Sequence, residues 1–300
     1  MVLYNSFNSW GNLELLPPEI LENVEVQLGD IRDIESVREL VKGAQAVYHL
    51  AALIAIPYSY HSPRSYVDTN VTGTLNVMEA ARRLDVPRIV HTSTSEVYGT
   101  ARTVPIAEDH PLQGQSPYSA SKIGADKIVE SFNLSFGLPV VTLRPFNTYG
   151  PRQSSRAVIA TILSQISAGD RTVRLGDLRP TRDFTYVEDT ARAFMAVADA
   201  PDEKVVGRTF NAGTGVEISI GDLVRKIAAA ADREVEVVQE SERLRPTESE
   251  VMRLLCDATR LREATGWTAQ VDLDEGLRRT AEWFFRPDNL ARYKTARFTL

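Results

Sequence analysis

Short apolar runs alternate with amphipathic stretches along the first half of the chain. VEVQLGD (24–30), AVYHLAA (46–52), RIVHTST (88–94) and PVVTLRP (139–145) read as strands. Their β-branched, nearly continuous apolar character suits a parallel sheet buried on both faces. The stretches 34–41, 65–84 and 118–136 between them carry helical spacing. The alternation predicts βαβ units and an α/β fold with a doubly wound parallel sheet of Rossmann type. Right-handed crossovers would bring the strands' carboxyl ends to one edge, where ligands bind. Beyond residue 151 the rhythm loosens. Shorter strand candidates (171–175, 208–212, 234–239) alternate there with helices around Ile159, Asp189, Ile220 and Glu275.

A dinucleotide fold of this kind opens with a strand, a glycine-rich turn and a helix whose N-terminus holds a pyrophosphate. No G-x-x-G-x-x-G or G-x-G-x-x-G occurs, and NAGTG (211–215) lacks the third spaced glycine. The opening VLY resembles the end of a second strand. A strand–turn–helix unit of about 30 residues is therefore expected upstream, lost through a misassigned start, a shortened gene or trimming. The expected organisation is a dinucleotide-binding domain over 1–150 lacking its first strand and helix. A smaller α/β substrate lobe over 151–300 is partly interleaved with the sheet.

Composition narrows the partners. The formal net charge of −6 and pI near 5.4 give no global attraction for nucleic acid or anionic membrane. The single cysteine, Cys256, excludes an intramolecular disulfide framework and fits a reducing compartment. No apolar run approaches the roughly 20 residues needed to span a bilayer, and the N-terminus lacks the pattern of a signal peptide. A cytoplasmic protein is expected. The four histidines, His49, His61, His91 and His110, share no metal-ligand spacing, so no metal is expected. His49 and His91 lie in apolar strands and read as packed or hydrogen-bonded core residues.

The strongest chemical signal is YSASK, in which Tyr118 and Lys122 stand at i,i+4 on one face of a helix. A free tyrosine has a pKa of about 10, and a neighbouring ammonium would lower it toward the range of a useful base. Alone, the pair is equally readable as surface decoration. Upstream, however, the strand 88–94 runs into TSTSEVYG, placing Ser93, Thr94, Ser95 and Glu96 at a carboxyl end that faces the expected cleft. Serine and threonine there also suit a turn cap.

HTSTSEVYG, PYSASKIGAD, LRPFNTYGPRQ and TRDFTYVED, in that order, resemble the NAD-dependent epimerase/dehydratase branch of the extended short-chain dehydrogenases/reductases. The resemblance runs from GDIRD (29–33) to GLRRTAEWF (276–284). It implies NAD as cofactor, with Asp30 and Ile31 beside the adenine and Leu50, Ala51 and Ala52 beside the ribose and nicotinamide. It also implies that Tyr118 deprotonates the sugar O4, that Lys122 holds the nicotinamide ribose, and that Thr94 hydrogen-bonds O4. Asn147, Arg182 and Arg245 would hold a nucleotide diphosphate, the arginines through forked charge-assisted bonds. The helices from Ser65 and Tyr118 resemble those that pair across the family's homodimer, though their apolar stripes also suit ordinary core.

Within that branch Glu96 resembles the base of nucleotide-sugar 4,6-dehydratases, which removes the C5 proton acidified by a 4-ketone; 4-epimerases usually carry a small residue there. dTDP-glucose dehydratases carry Thr-Asp-Glu where this chain has Thr94-Ser95-Glu96. UDP-glucuronate decarboxylases share TSEVYG. YNSFNSWG (4–11) and RPTESEV (245–251) resemble the UDP-N-acetylglucosamine 4,6-dehydratases, the first also reading as a polar turn. The expected function is nucleotide-sugar 4,6-dehydration. Alternatives are decarboxylation of UDP-glucuronate, 4-epimerisation, or a shortened remnant that binds sugar nucleotide without turnover.

Overall fold

The computed structural model describes residues 1–294. Strand β1 (Val2–Leu3) pairs in parallel with β2 (Leu28–Gly29), a separate two-stranded sheet. Helix α1 (Ile34–Val41) is capped by Asp33, whose carboxylate accepts from Glu35 N, and its Val37 and Val41 are buried. It leads into β3 (Val47–His49), then α2 (Ile56–His61). The stretch 65–84 forms a helix broken by one π-helical turn (Val67–Thr72) before α3 (Gly73–Arg83). Next come β4 (Ile89–Thr92), a 3-10 turn (Ser95–Tyr98) and the 20-residue α4 (Pro117–Phe136). A Ser116–Ser119 capping box and Pro117 at the first turn set the start of α4, and Gly137 in the left-handed conformation ends it. β5 (Val140–Pro145) follows, then β6 (Asn147–Tyr149), α5 (Val158–Ser167), β7 (Thr172–Leu175) and β8 (Thr181–Tyr186). Among the later elements are α6 (Val187–Asp199), β9 (Thr209–Ala212), β10 (Glu217–Ser219), α7 (Ile220–Ala230), β11 (Glu236–Gln239) and α8 (Leu273–Phe284).

Strands β3-β4-β5-β9 form a parallel sheet in that order. Side chains alternate across it. Ile89 and Val140 pack with Val77, Met78, Val129 and Phe132 under α3 and α4, whereas Val90, Val141, Leu143 and Phe210 pack with Ala193 and Val197 of α6. Helices therefore cover both faces, as continuous apolar strands require. Because β9 joins β5, a late segment returns to the early sheet.

A second core gathers Ile159, Ile162, Leu163, Val173, Phe184, Leu223, Ile227, Leu277 and Phe284 beneath the sheets β10-β8-β6 and β11-β7. Here the sequence reading falls short. β6, β8 and β10 escape it, and β10 runs antiparallel to β8. These strands are three to six residues long and mix polar with apolar residues (NTY, TRDFTY and EIS), so they lack an apolar run. The segment 24–30 also shrinks to Leu28–Gly29, because its valines are exposed or half-exposed.

Tyr149 closes β6 by donating its hydroxyl to Leu273 O, and that hydroxyl lies 2.0 Å from where a Cβ on Gly276 would stand. Gly276→Ala is expected to destabilise the chain by about 1–3 kcal/mol through overpacking, read as a lower midpoint in urea.

Candidate active site

The carboxyl ends of β4 and β5 and the first two turns of α4 meet at one point. After β4 the chain turns through Thr94, whose hydroxyl accepts from Glu96 N at 3.2 Å and caps the 3-10 turn. The turn-cap reading thus holds for Thr94. Ser95 and Glu96 follow, both buried. Thr94 also interacts with the Tyr118 hydroxyl and favours its ionised form. Tyr118 and Lys122 are 6% and 2% exposed, on the α4 face that meets the sheet, so the surface-decoration reading fails. Tyr66 packs edge-on against the Tyr118 ring at 6.2 Å.

The electrostatics differ from the expectation that Lys122 lowers the Tyr118 phenol. Burial pushes the phenol up, with Glu96, Tyr66 and Asp126 adding to the rise and Thr94 opposing it. Lys122 is itself pushed down to about 8 by burial, against the pull of Asp126. Its ammonium donates to Thr92 O at 2.6 Å.

Beside this cluster, Asn147, Gln153, Arg182, Arg243, Arg245 and Glu250 line a cavity of about 250 Å³. One Glu250 oxygen, Oε1, meets Arg182 at 3.3 Å and Arg245 at 3.4 Å. Arg182 is pushed down by burial, and Glu96 and Glu250 oppose that fall while Arg245 adds to it. Asn147 Oδ1 is buried without a partner, the condition of a group aimed at a ligand. The three residues assigned to the diphosphate thus share one cavity. Arg243 and Gln153 join them, unassigned from sequence although they stand inside ERLRP and YGPRQ. Arg243 lies two residues before Arg245, a spacing that signals a shared side only in extended chain.

The nicotinamide end of the cofactor fits the residues present. Lys122 stands at the end of β4, where Thr92 Oγ1 is buried without a partner, and Leu50 is 60% exposed just beyond the end of β3, with Ala51 and Ala52 following it. Asp30 lines a surface recess of about 460 Å³ with Arg32, Asp33, Asp68 and Thr72. Its carboxylate takes a forked bond from Arg32, which holds its pKa down. Ile31 packs against Gly73 at the start of α3.

Other sequence candidates have structural roles. His49 shares a hydrogen bond with Thr74 and His91 one with Asp126, both rings buried and pushed down by burial. The NAGTG turn wraps the buried Asp183 carboxylate, which accepts from Thr214 N, Gly215 N and Cys256 N. YNSFNSWG forms a turn in which Asn5 Oδ1 accepts from Phe7 N and Ser9 N. No described helix is long and apolar enough to cross a membrane.

Comparison with known proteins identifies the family. The GDP-mannose 4,6-dehydratase family model matches residues 1–280. A UDP-glucose 4-epimerase of Mycolicibacterium smegmatis is 36% identical over 80% of this chain and 76% of its own. A dTDP-glucose 4,6-dehydratase of Streptomyces griseus is 34% identical over 86% and 76% respectively. The crystal structure of a double mutant of DesIV, a dTDP-glucose 4,6-dehydratase of Streptomyces venezuelae with NAD bound, superposes with a TM-score of 0.80 at 27% identity. It covers 90% of this chain and 84% of that one. The chain belongs to the NAD-dependent epimerase/dehydratase family of extended short-chain dehydrogenases/reductases, enzymes that dehydrate or epimerise nucleotide sugars.

Proposed function

We propose that the chain is a nucleotide-sugar 4,6-dehydratase, with residues 1–150 serving NAD and 151–300 the sugar nucleotide. The observation that carries this reading is Glu96, a buried carboxylate in the turn that Thr94 caps, felt electrostatically by both Tyr118 and Arg182. It stands between the group that would handle O4 and the group that would hold the diphosphate.

Bound NAD supplies acceptance and return of one hydride, and its positive ring adds the charge that brings the Tyr118 phenol down. Tyr118 takes the O4 proton as C4 becomes a ketone, with Thr94 orienting O4. The ketone acidifies C5–H, and Glu96 takes that proton. The C5–C6 double bond forms as the C6 hydroxyl leaves, and the hydride taken from C4 would return to C6 as a proton returns to C5. Two protons are taken, by Tyr118 and Glu96, and two returned, one to the departing hydroxyl and one to C5. Ser95 stands where dTDP-glucose enzymes carry aspartate, so Glu96 is the group that passes its proton to the hydroxyl. Arg182, Arg245 and Asn147 hold the diphosphate, and Glu250 must yield to it. Arg182→Gln is expected to weaken binding of UDP or dTDP by about 10–100-fold, the loss of one charge-assisted bond, measured by calorimetry.

The 36%-identical UDP-glucose 4-epimerase favours 4-epimerisation as the second reading. Mass spectrometry of products from NAD and a nucleotide-sugar panel separates them. Loss of one water from UDP-N-acetylglucosamine or dTDP-glucose is expected. Unchanged mass with a new isomer would replace dehydration by epimerisation, and loss of carbon dioxide from UDP-glucuronate would replace it by decarboxylation. A homodimer formed through α3 and α4 is part of the same proposal, supported by Leu75, Leu134 and Phe136, exposed at 39%, 77% and 55% on these helices.

A further inference from the structure

Behind the reacting groups lies a buried polar hub that the mechanism above does not use. Asp126 follows Tyr118 and Lys122 at the next i,i+4 step of α4, is 5% exposed, and accepts from three side chains on two strands. His91 Nε2 donates to Oδ1 at 3.1 Å, Ser93 Oγ to Oδ2 at 2.8 Å, and Arg144 to Oδ2 through Nη2 at 2.9 Å and Nε at 3.2 Å. Arg144 carries the chain of contacts onward: its Nη1 donates to the Tyr98 hydroxyl at 2.9 Å, and that hydroxyl donates to Asn211 Oδ1 at 2.7 Å. Tyr98 belongs to the same 3-10 turn as Glu96. One carboxylate therefore ties the helix bearing Tyr118 and Lys122 to the strand end and turn bearing Thr94 and Glu96.

We propose that Asp126 is a positioning residue for the acid–base chemistry, holding the two arms of the site in register and keeping the Lys122 ammonium charged. The proposal rests on the reading of Tyr118 and Lys122 given above. Its physical basis is charge placement in a dry interior. Around Lys122 stand His49 on β3, His91 on β4, Tyr118 and Asp126 on its own helix, and, behind Asp126, Arg144 on β5. Both imidazoles are held neutral by burial. Asp126 is pulled down to about 2 by His91, Arg144 and Lys122 despite its burial, so it is the anion of the cluster. Without it, two buried cations would face each other with no anion between them, and Lys122, the one that can discharge, would do so.

The test compares wild type with Asp126→Asn by NMR of lysine labelled with nitrogen-15, which is direct because the chain has six lysines. The Lys122 signal is assigned by its loss in Lys122→Met. The expected result is a Lys122 titration at least about one pH unit lower in Asp126→Asn, the effect of removing an opposite charge at close range. The alkaline limb of kcat should move down with it, while KM stays within about threefold. An unchanged titration and pH profile, with only a lower melting temperature, would reduce Asp126 to a structural residue. If Asp126→Asn does not fold, Ser93→Ala removes one bond to the carboxylate and no charge. Lower kcat with an unmoved alkaline limb is then expected, and wild-type kcat would overturn the register role. An active Lys122→Met would overturn the acid–base reading itself, and this inference with it. An inactive Lys122→Met beside a wild-type-like Asp126→Asn would overturn the inference alone.

Discussion

Glu96→Gln is expected to stop the reaction after oxidation, with dehydration slowed by about 10²–10⁴-fold, the range for loss of a positioned base. C4 oxidation needs Tyr118, Thr94 and Lys122, all of which this change leaves in place, and loss of the Glu96 charge eases ionisation of the Tyr118 phenol. Enzyme mixed with NAD and the nucleotide sugar it turns over should therefore develop the reduced-nicotinamide absorbance in a first turnover and then hold it. No water should leave, and solvent deuterium should not enter C5. The amide keeps the shape of the carboxylate, and the bonds that hold the turn run through Glu96 backbone atoms, its N–H donating to Thr94 and its O accepting from Gly99 N. Loss of fold is thus not the expected outcome. Wild-type water loss in Glu96→Gln would remove the base from Glu96 and favour an epimerase-like site in which the carboxylate merely lines the cleft.

The parts of this site that could be read from sequence are those whose geometry is local. Tyr118 and Lys122 share a face because a helix repeats about every 3.6 residues, and Thr94 lies at the ligand-binding edge because it follows the carboxyl end of a strand in a parallel sheet. The central strands were legible for the same reason: Ile89 to Thr92 and Val140 to Pro145 are apolar runs buried on two sides. What escaped depends on distance along the chain. Asp126, His91 and Arg144 stand on three different elements, and nothing in their spacing says that they meet. His91 was read as core, which its burial supports, but its hydrogen bond to a charged hub was not visible. Arg243 and Glu250 escaped because the residues from 240 to 250 form only short 3-10 turns joined by side-chain contacts, too short to show a period. The rise of the Tyr118 phenol escaped because sequence shows the neighbour at i+4 and not the depth of burial, and depth decided the sign.

Depth of burial also makes Lys122 a cost to the fold. Its pKa falls from the ordinary 10.5 to about 8, so at neutral pH the folded chain carries a charge that the unfolded chain carries more easily. A difference of about 2.5 units corresponds to about 3 kcal/mol. Lys122→Met keeps the length of the side chain and removes the charge, but leaves Thr92 O without its donor, a loss of about 1 kcal/mol. The variant is expected to be inactive and about 2 kcal/mol more stable than wild type at pH 7. The sign of the pH dependence is opposite to that of a salt-bridged carboxylate. Between pH 8 and 10.5 the unfolded chain binds the Lys122 proton and the folded chain does not, so wild-type stability rises through that window. The advantage of Lys122→Met should shrink across the same interval and vanish near its upper end. Urea titrations of both proteins at pH 7, 8.5 and 10 measure it. A variant less stable than wild type at pH 7 would mean that Asp126 and the Thr92 carbonyl compensate the buried ammonium fully. The Lys122 ammonium would then be held on the Tyr118 helix at no expense to the fold.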